Sequence, residues 1–206
     1  MVDAKSQKPD HDVFDRTRQF DRKRAALIQA SAHAFHENGY AGTTLDMIAA
    51  SLGVTKKALY RYISGKGEIL YEIFCLWLDL QSAALDEAET LSGSAADKLR
   101  TYAGAYITGM FENLVPTDRL VGEVHILPDD QRAEIQGRRR ENDERLAKIF
   151  EQGRGSGLQG HDPKFAVHTL NGAVDWIFKW YNTGGKLTPA GASDAVMDIL
   201  MAGMET

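Results

Sequence analysis

The chain has 206 residues, 43% of them apolar, a net charge of −5 and a single cysteine. That apolar share, with three Trp, eight Phe and seven Tyr, excludes wholesale disorder, and the lone Cys75 excludes an internal disulfide or a multi-cysteine zinc site. The average charge hides a split: residues 1–67 carry a balance of +4 and residues 68–206 one of −9, as a nucleic-acid-binding head on an acidic body would show. No apolar run follows the N-terminal charges, so no secretory leader is expected. The longest apolar stretches are broken by charge or Gly, so no membrane span is expected and the cytoplasm is the expected location.

In chain order, residues 1–17 are polar, with Pro9 and mixed charge, and read as a disordered arm. From Arg18 to Asn38 the spacing of Ala25, Leu27, Ile28, Ala32 and Phe35 predicts a helix, stopped by Asn38-Gly39. Thr43 and Asp46 have capping-box-like spacing before a short amphipathic helix of Leu45, Ile48, Ala49 and Leu52. Gly53 ends it, and Thr55 is placed to cap the next short helix, with Ala58, Leu59 and Tyr62 at packing positions. Ser64 is placed to cap a fourth helix running to about Leu91.

After Ser92-Gly93-Ser94, residues 95–115 carry Leu99, Tyr102, Ala103, Tyr106, Ile107 and Met110 at helical spacing, and Pro116 ends that run. Residues 117–127 are short and ambiguous, and Pro128 suits a new helix start. The stretch to Gln152 is strongly charged, and Gly153, Gly155, Gly157 and Gly160 then read as a loop. Residues 163–181 are apolar on nearly every side, Gly184-Gly185 breaks the chain, and Thr188-Pro189 leads into a last helix. The expectation is an all-α protein of about nine helices. Residues 18–67 form a three-helix bundle with a helix-turn-helix, and residues 68–206 form a larger helical bundle.

The helix-turn-helix is Leu45–Tyr62, with Gly53 at the tight turn and Ala49 small where the helices cross. Its second helix offers Thr55, Lys56, Lys57, Tyr60 and Arg61 at outward or end positions, where an N-terminal dipole and hydroxyls favour phosphate or base-edge contact. Spacing alone leaves an ordinary solvated helix pair open.

The stretch from Lys23 to Leu70 resembles the TetR family N-terminal domain nearly end to end. The residues that carry the resemblance are Phe35, Asn38-Gly39-Tyr40, Thr43-Thr44-Leu45, Ile48-Ala49, Gly53-Val54-Thr55, Leu59-Tyr60, Tyr62 and Lys66. Ile63 replaces the usual Phe, Gly67 the common Glu, and Lys57 stands where a small residue is frequent, so an operator sequence is not inherited with the pattern. The resemblance implies a palindromic double-stranded DNA operator, with Thr44, Tyr60 and Lys66 on phosphates and Thr55, Lys56, Lys57 and Tyr62 at base edges or a mixture. It also implies a homodimer formed by the last two helices, through Ala166, Leu170, Ala173, Val174, Ile177 and Tyr181 with Val196, Ile199 and Leu200.

The segment Trp176, Trp180-Tyr181, Gly184-Gly185, Leu187-Thr188-Pro189 resembles a TetR subgroup that includes acyl-CoA-responsive repressors of fatty-acid and sterol-side-chain degradation. This implies a hydrophobic effector, with an acyl-CoA among the candidates. An apolar pocket is expected from Phe74, Trp77 and Leu78 of the fourth helix and Tyr102, Tyr106, Met110 and Phe111 of the fifth. Leu120, Ile126, Trp176 and Trp180 are further lining candidates. Arg119, His125 and His168 are candidate polar anchors. Each of these side chains also reads as ordinary core or surface.

Catalysis would need convergent chemistry. His33, His36 and Glu37 stand close on one helix but lack further ligands at metal-binding spacing. No phosphate-binding glycine loop or nucleophile elbow occurs. No enzyme, metal or cofactor is therefore expected. The rival reading is a helical adaptor on the same fold that does not bind DNA.

Overall fold

Local stops set the N-terminal third of the chain. In this computed structural model, which describes residues 11–113, 120–154, 162–181 and 187–204, the first helix α1 spans His11–Gly42 and is broken at Gly39 (φ 71°). Thr43 is buried and donates its hydroxyl toward the Ala34 and Gly39 carbonyls (2.9 and 2.8 Å), which ties off the helix end. Helix α2 (Leu45–Ser51) starts at an N-cap, but the cap is Thr44, whose oxygen accepts from the Met47 amide at 3.2 Å. The capping register read from Thr43 is thus one residue early. At the other end Gly53 (φ 65°) accommodates a left-handed stop. The Val54 amide donates to Ala49 and the Gly53 amide to Ala50, the paired bonds of a Schellman motif.

Helix α3 (Lys56–Leu59) is a single turn, capped as expected by Thr55, which accepts from the Ala58 amide. Helix α4 (Lys66–Thr90) starts without a side-chain cap at Gly65. Ser64 does not cap it. Instead its amide and hydroxyl both donate to Glu68 (2.6 and 2.7 Å). Leu27, Phe35, Ile48, Leu59 and Ile63 make the small buried core under these turns.

The remaining elements are α5 (Ala95–Asn113), a 3-10 helix (Val121–Ile126), α6 (Asp129–Gly153), α7 (Pro163–Trp180) and α8 (Pro189–Met204). Pro128 precedes α6, and Pro163 occupies the first turn of α7, where a missing amide hydrogen costs nothing. α5 packs along α4, α6 and α8, and α6 also packs on α4 and α7. Arg145 fastens α6 to α4 through Asp86, Glu89 and Ser82. The described residues thus form an all-α fold of eight α-helices and one 3-10 helix. None of these helices is long and apolar enough to cross a membrane.

Helix α1 begins seven residues before the expected Arg18, so the end of the expected arm is helical. Residues 1–10 lie outside the described residues, as do Pro116, Arg119, the glycines at 155, 157 and 160, and Gly184-Gly185.

Candidate DNA interface and effector cavity

The expected DNA contacts separate into two groups. Thr44, Thr55, Lys57 and Tyr60 are exposed around α2 and α3, Tyr60 by 52%. Both threonines accept a backbone bond as caps, which leaves their hydroxyl protons to donate to another acceptor. Arg61 is exposed beside them. The other three are engaged within the protein. Lys56 pairs with Asp46 at 2.9 Å, which bridges α3 to α2. Tyr62 is half-buried, with its ring 4.9 Å from that of Phe20 on α1.

Lys66 differs most from its expected role. Its ammonium donates to the carbonyls of Tyr40 and Thr43 (2.6 and 2.9 Å) and lies 4.2 Å from the Tyr40 ring centroid. Two of its three N–H groups therefore hold the start of α4 to the α1–α2 turn. Nearby, Arg24 of α1 reaches Glu68 and Glu72 of α4 at 3.1 and 2.8 Å, and these pairs raise its already high pKa. Helix α4 is thus joined to α1 and the α1–α2 turn through Lys66 and Arg24.

Hydrogen bonds link several residues of the expected apolar pocket. Trp77 Nε1–H donates to the Tyr106 hydroxyl, which donates to Asp175 Oδ1 at 2.9 Å. Tyr102 donates to Asn171 Oδ1 at 2.8 Å, and Asn171 Nδ2 donates to Asp143 Oδ1 at 3.2 Å. Burial pushes both tyrosines well above their usual pKa, raises Asp143, and moves Asp175 up to about 6. Phe74, Leu78 and Met110 are buried around this path. Phe111 instead meets the Tyr181 ring at a tilt of 53°, with centroids 4.4 Å apart.

Trp176 and Trp180 are 58% and 52% exposed, so they face away from this interior. His125 is exposed on the 3-10 helix, its ring nitrogen 2.8 Å from the Gly122 carbonyl, and Ile126 is exposed next to it. Leu120 is buried. His168 does reach a cavity. It lines a space of about 250 Å³ between α6 and α7 with Arg140, Asp143, Glu144, Ala147, Lys164 and Val167. The sequence reading passed over Asp143, Asn171 and Asp175. The signal was present, since a lone Asp inside Val174–Phe178 interrupts an otherwise apolar stretch at helical spacing from Asn171, His168 and Lys164.

The expected dimer residues divide in the same way. Leu170, Val174 and Ile177 are fully buried and Ala166 nearly so, all against their own protomer. Ala173, Tyr181, Val196 and Leu200 are partly buried. That stripe belongs to the core, because α7 is apolar on two faces and only one can meet α6 and α8. The outer face presents Phe165, Gly172 and Trp176, with Trp180 at its end, and Ile199 of α8 is 75% exposed as well.

Among the described residues no group of three His, Cys, Asp or Glu could hold a metal ion.

Comparison with known proteins agrees with this architecture. Residues 27–73 match the family of bacterial regulatory proteins of the tetR type, and residues 92–204 match the tetracyclin repressor-like C-terminal domain. The TetR family transcriptional regulator PfmR of Thermus thermophilus is 26% identical, with a TM-score of 0.75 over 87% of this chain and 99% of that one. AibR, solved in complex with isovaleryl coenzyme A and operator DNA, is 27% identical, with a TM-score of 0.72 over 86% and 98%. The ketosteroid transcriptional regulator KstR2 of Mycobacterium tuberculosis shares the fold at 20% identity and a TM-score of 0.78, over 89% and 95%. The uncharacterized HTH-type transcriptional regulator YhgD of Bacillus subtilis (strain 168) is 34% identical over 68 residues, 33% of this chain and 35% of that protein. A helix-turn-helix stopped at Gly53, an all-α body and matches over both parts lead to one conclusion: the chain belongs to the TetR family of ligand-responsive, DNA-binding transcriptional regulators.

Proposed function

We propose that the protein is a homodimeric cytoplasmic repressor that binds a palindromic operator and is released by a hydrophobic small molecule held in the α4–α7 bundle. Residues 18–67 form the DNA-binding domain in this reading, and residues 68–206 bind the effector and dimerise. The observation that carries it is the exposed surface of α3 and its flanks. Thr44, Thr55, Lys57 and Tyr60 stand outward there on a turn whose backbone is fully capped. Two such surfaces related by a two-fold axis suit half-sites one helical turn apart. The exposure of Phe165 and Trp176 on α7 and of Ile199 on α8 supports dimerisation, since large apolar groups this exposed suit a covered surface.

Release is mechanical in this reading. Helix α4 is tied to the DNA-binding helices by Lys66 and Arg24 and runs into the bundle at Trp77, so a ligand that favours another tilt of α4 changes the spacing of the two α3 helices. A coupling of about 1–3 kcal/mol is enough to change operator affinity roughly 5- to 150-fold. An acyl-CoA is one effector this reading admits, by likeness to AibR.

The test is a mobility shift of genomic fragments with the full chain in the presence of excess unrelated duplex. Retention of a small set of fragments is expected. Retention of none would favour the adaptor reading.

A further inference from the structure

The buried polar path of the bundle uses its donors internally and leaves acceptors. Both tyrosine O–H groups are committed, Tyr106 to Asp175 and Tyr102 to Asn171, and the Trp77 N–H to Tyr106. What remains is the second oxygen of Asp175, the second oxygen of Asp143, and the aromatic face of Trp77. Asn171 and Asp175 lie one turn apart on α7, so the two carboxylates flank the same stretch of the α6–α7 seam.

One cation already occupies that place. Arg139 of α6 holds its guanidinium 5.7 Å from the Trp77 ring centroid, in the field of both Asp143 and Asp175. Among the described residues no ion pair joins it to either carboxylate, and the residue is otherwise exposed. The cavity of about 250 Å³ opens directly on Asp143, with Ala147 and Val167 as apolar wall and Arg140, Lys164, Glu144 and His168 at its sides. An aromatic face with two part-buried carboxylates is a recognition set for an organic cation.

We propose that the effector is an organic cation, an amine or guanidine on an apolar tail, whose charge lies over Trp77 between Asp143 and Asp175 in place of the Arg139 guanidinium. This rests on the effector-responsive reading above and names the chemistry of that site. Burial supports it, because both carboxyls sit above their ordinary range and lack a full counter-charge. Arg139 then acts as an internal competitor that keeps the empty site neutralised.

The experiment is calorimetric titration of the full chain with octylguanidinium, octanoate and octanoyl-CoA, at a pH where Asp175 is ionised. Binding of octylguanidinium alone is expected. Asp175→Asn, which keeps an acceptor for Tyr106, should weaken it by about tenfold or more, and Arg139→Gln should strengthen it. Circular dichroism confirms that each variant is folded. Should Asp175→Asn fail to fold, the Arg139→Gln change decides alone, since loss of a competitor strengthens binding and loss of a contact weakens it. Binding of octanoyl-CoA with none of octylguanidinium overturns the proposal, as does cation binding indifferent to both substitutions. A mobility shift on the same preparation separates this from the wider reading. Retained operator fragments without cation binding sink the cation alone. Cation binding without any retained fragment leaves the site and sinks the regulator.

Discussion

In α2 and α3 the polar side chains face water, and in the α4–α7 bundle they face one another. Thr44, Thr55, Lys57 and Tyr60 stand exposed on three turns of chain, while Trp77, Tyr102, Tyr106, Asn171 and Asp175 meet across the bundle. The first surface is built by local rules: a capping hydroxyl, a glycine in the left-handed region and a single helical turn. The second is built by packing, and its members are as much as 98 residues apart, from Trp77 to Asp175. Lys66 and Arg24 join the two regions, so both the exposed and the buried chemistry report on one helix, α4.

The largest effect separates the two apolar faces of α7. Ile177→Glu places a carboxylate where the side chain is fully buried, and should cost at least about 3 kcal/mol and deplete folded protein. Trp176→Glu, on the exposed face one residue away, should leave the protomer folded and yield monomer by analytical ultracentrifugation. A folded monomer from the Ile177 variant would reverse the assignment of faces.

Asp175→Asn sharpens the buried side. Burial moves its pKa from 3.8 to about 6, with Tyr106 and Arg139 opposing that shift and Asp143 adding to it. Between those values the folded chain holds the extra proton, so stability falls as pH rises from about 4 to about 6 and is level above. That gap amounts to about 3 kcal/mol. The Asn variant should be more stable than the parent near neutral pH, and denaturant melts across that range should lose the slope. A variant less stable at neutral pH would show that the ionised carboxylate is satisfied in the fold.

Lys66→Met should cost about 1–3 kcal/mol of stability, because it removes two bonds to the Tyr40 and Thr43 carbonyls. An unchanged melting curve together with weaker DNA binding would return Lys66 to a phosphate. The smallest effect is Gly53→Ala. A Cβ there meets nothing within 4 Å, so the cost is the left-handed backbone alone, about 1–2 kcal/mol by thermal melt.

The same contrast explains what the sequence reveals. The stops at Gly39 and Gly53, the Thr55 cap and the proline starts of α6 and α7 depend on neighbours in the chain, and each is where local chemistry puts it. The choice between Thr43 and Thr44 as cap turned on a tertiary demand, since Thr43 is drawn inward by the Ala34 carbonyl. Periodicity recognised α7 as apolar on two faces but could not assign one to its own core, because Leu170-Val174-Ile177 and Phe165-Gly172-Trp176 are equally regular stripes. The Tyr106–Asp175 pair needs two helices brought together, and no spacing within either announces it. Lys66 and Lys56 read as DNA contacts, and only the structure brings two carbonyls to one and Asp46 to the other.

The central claim is that α3 faces the DNA backbone, and the salt dependence of operator binding tests it most directly. Operator affinity of the full chain and of Lys57→Ala should be measured by fluorescence anisotropy across a range of salt. Lys57 is exposed in the first turn of α3, so under this account its loss should lower affinity and reduce the slope of log affinity against log salt by about 1. Identical slopes and affinities for the two proteins would place the DNA elsewhere on the molecule and contradict the account.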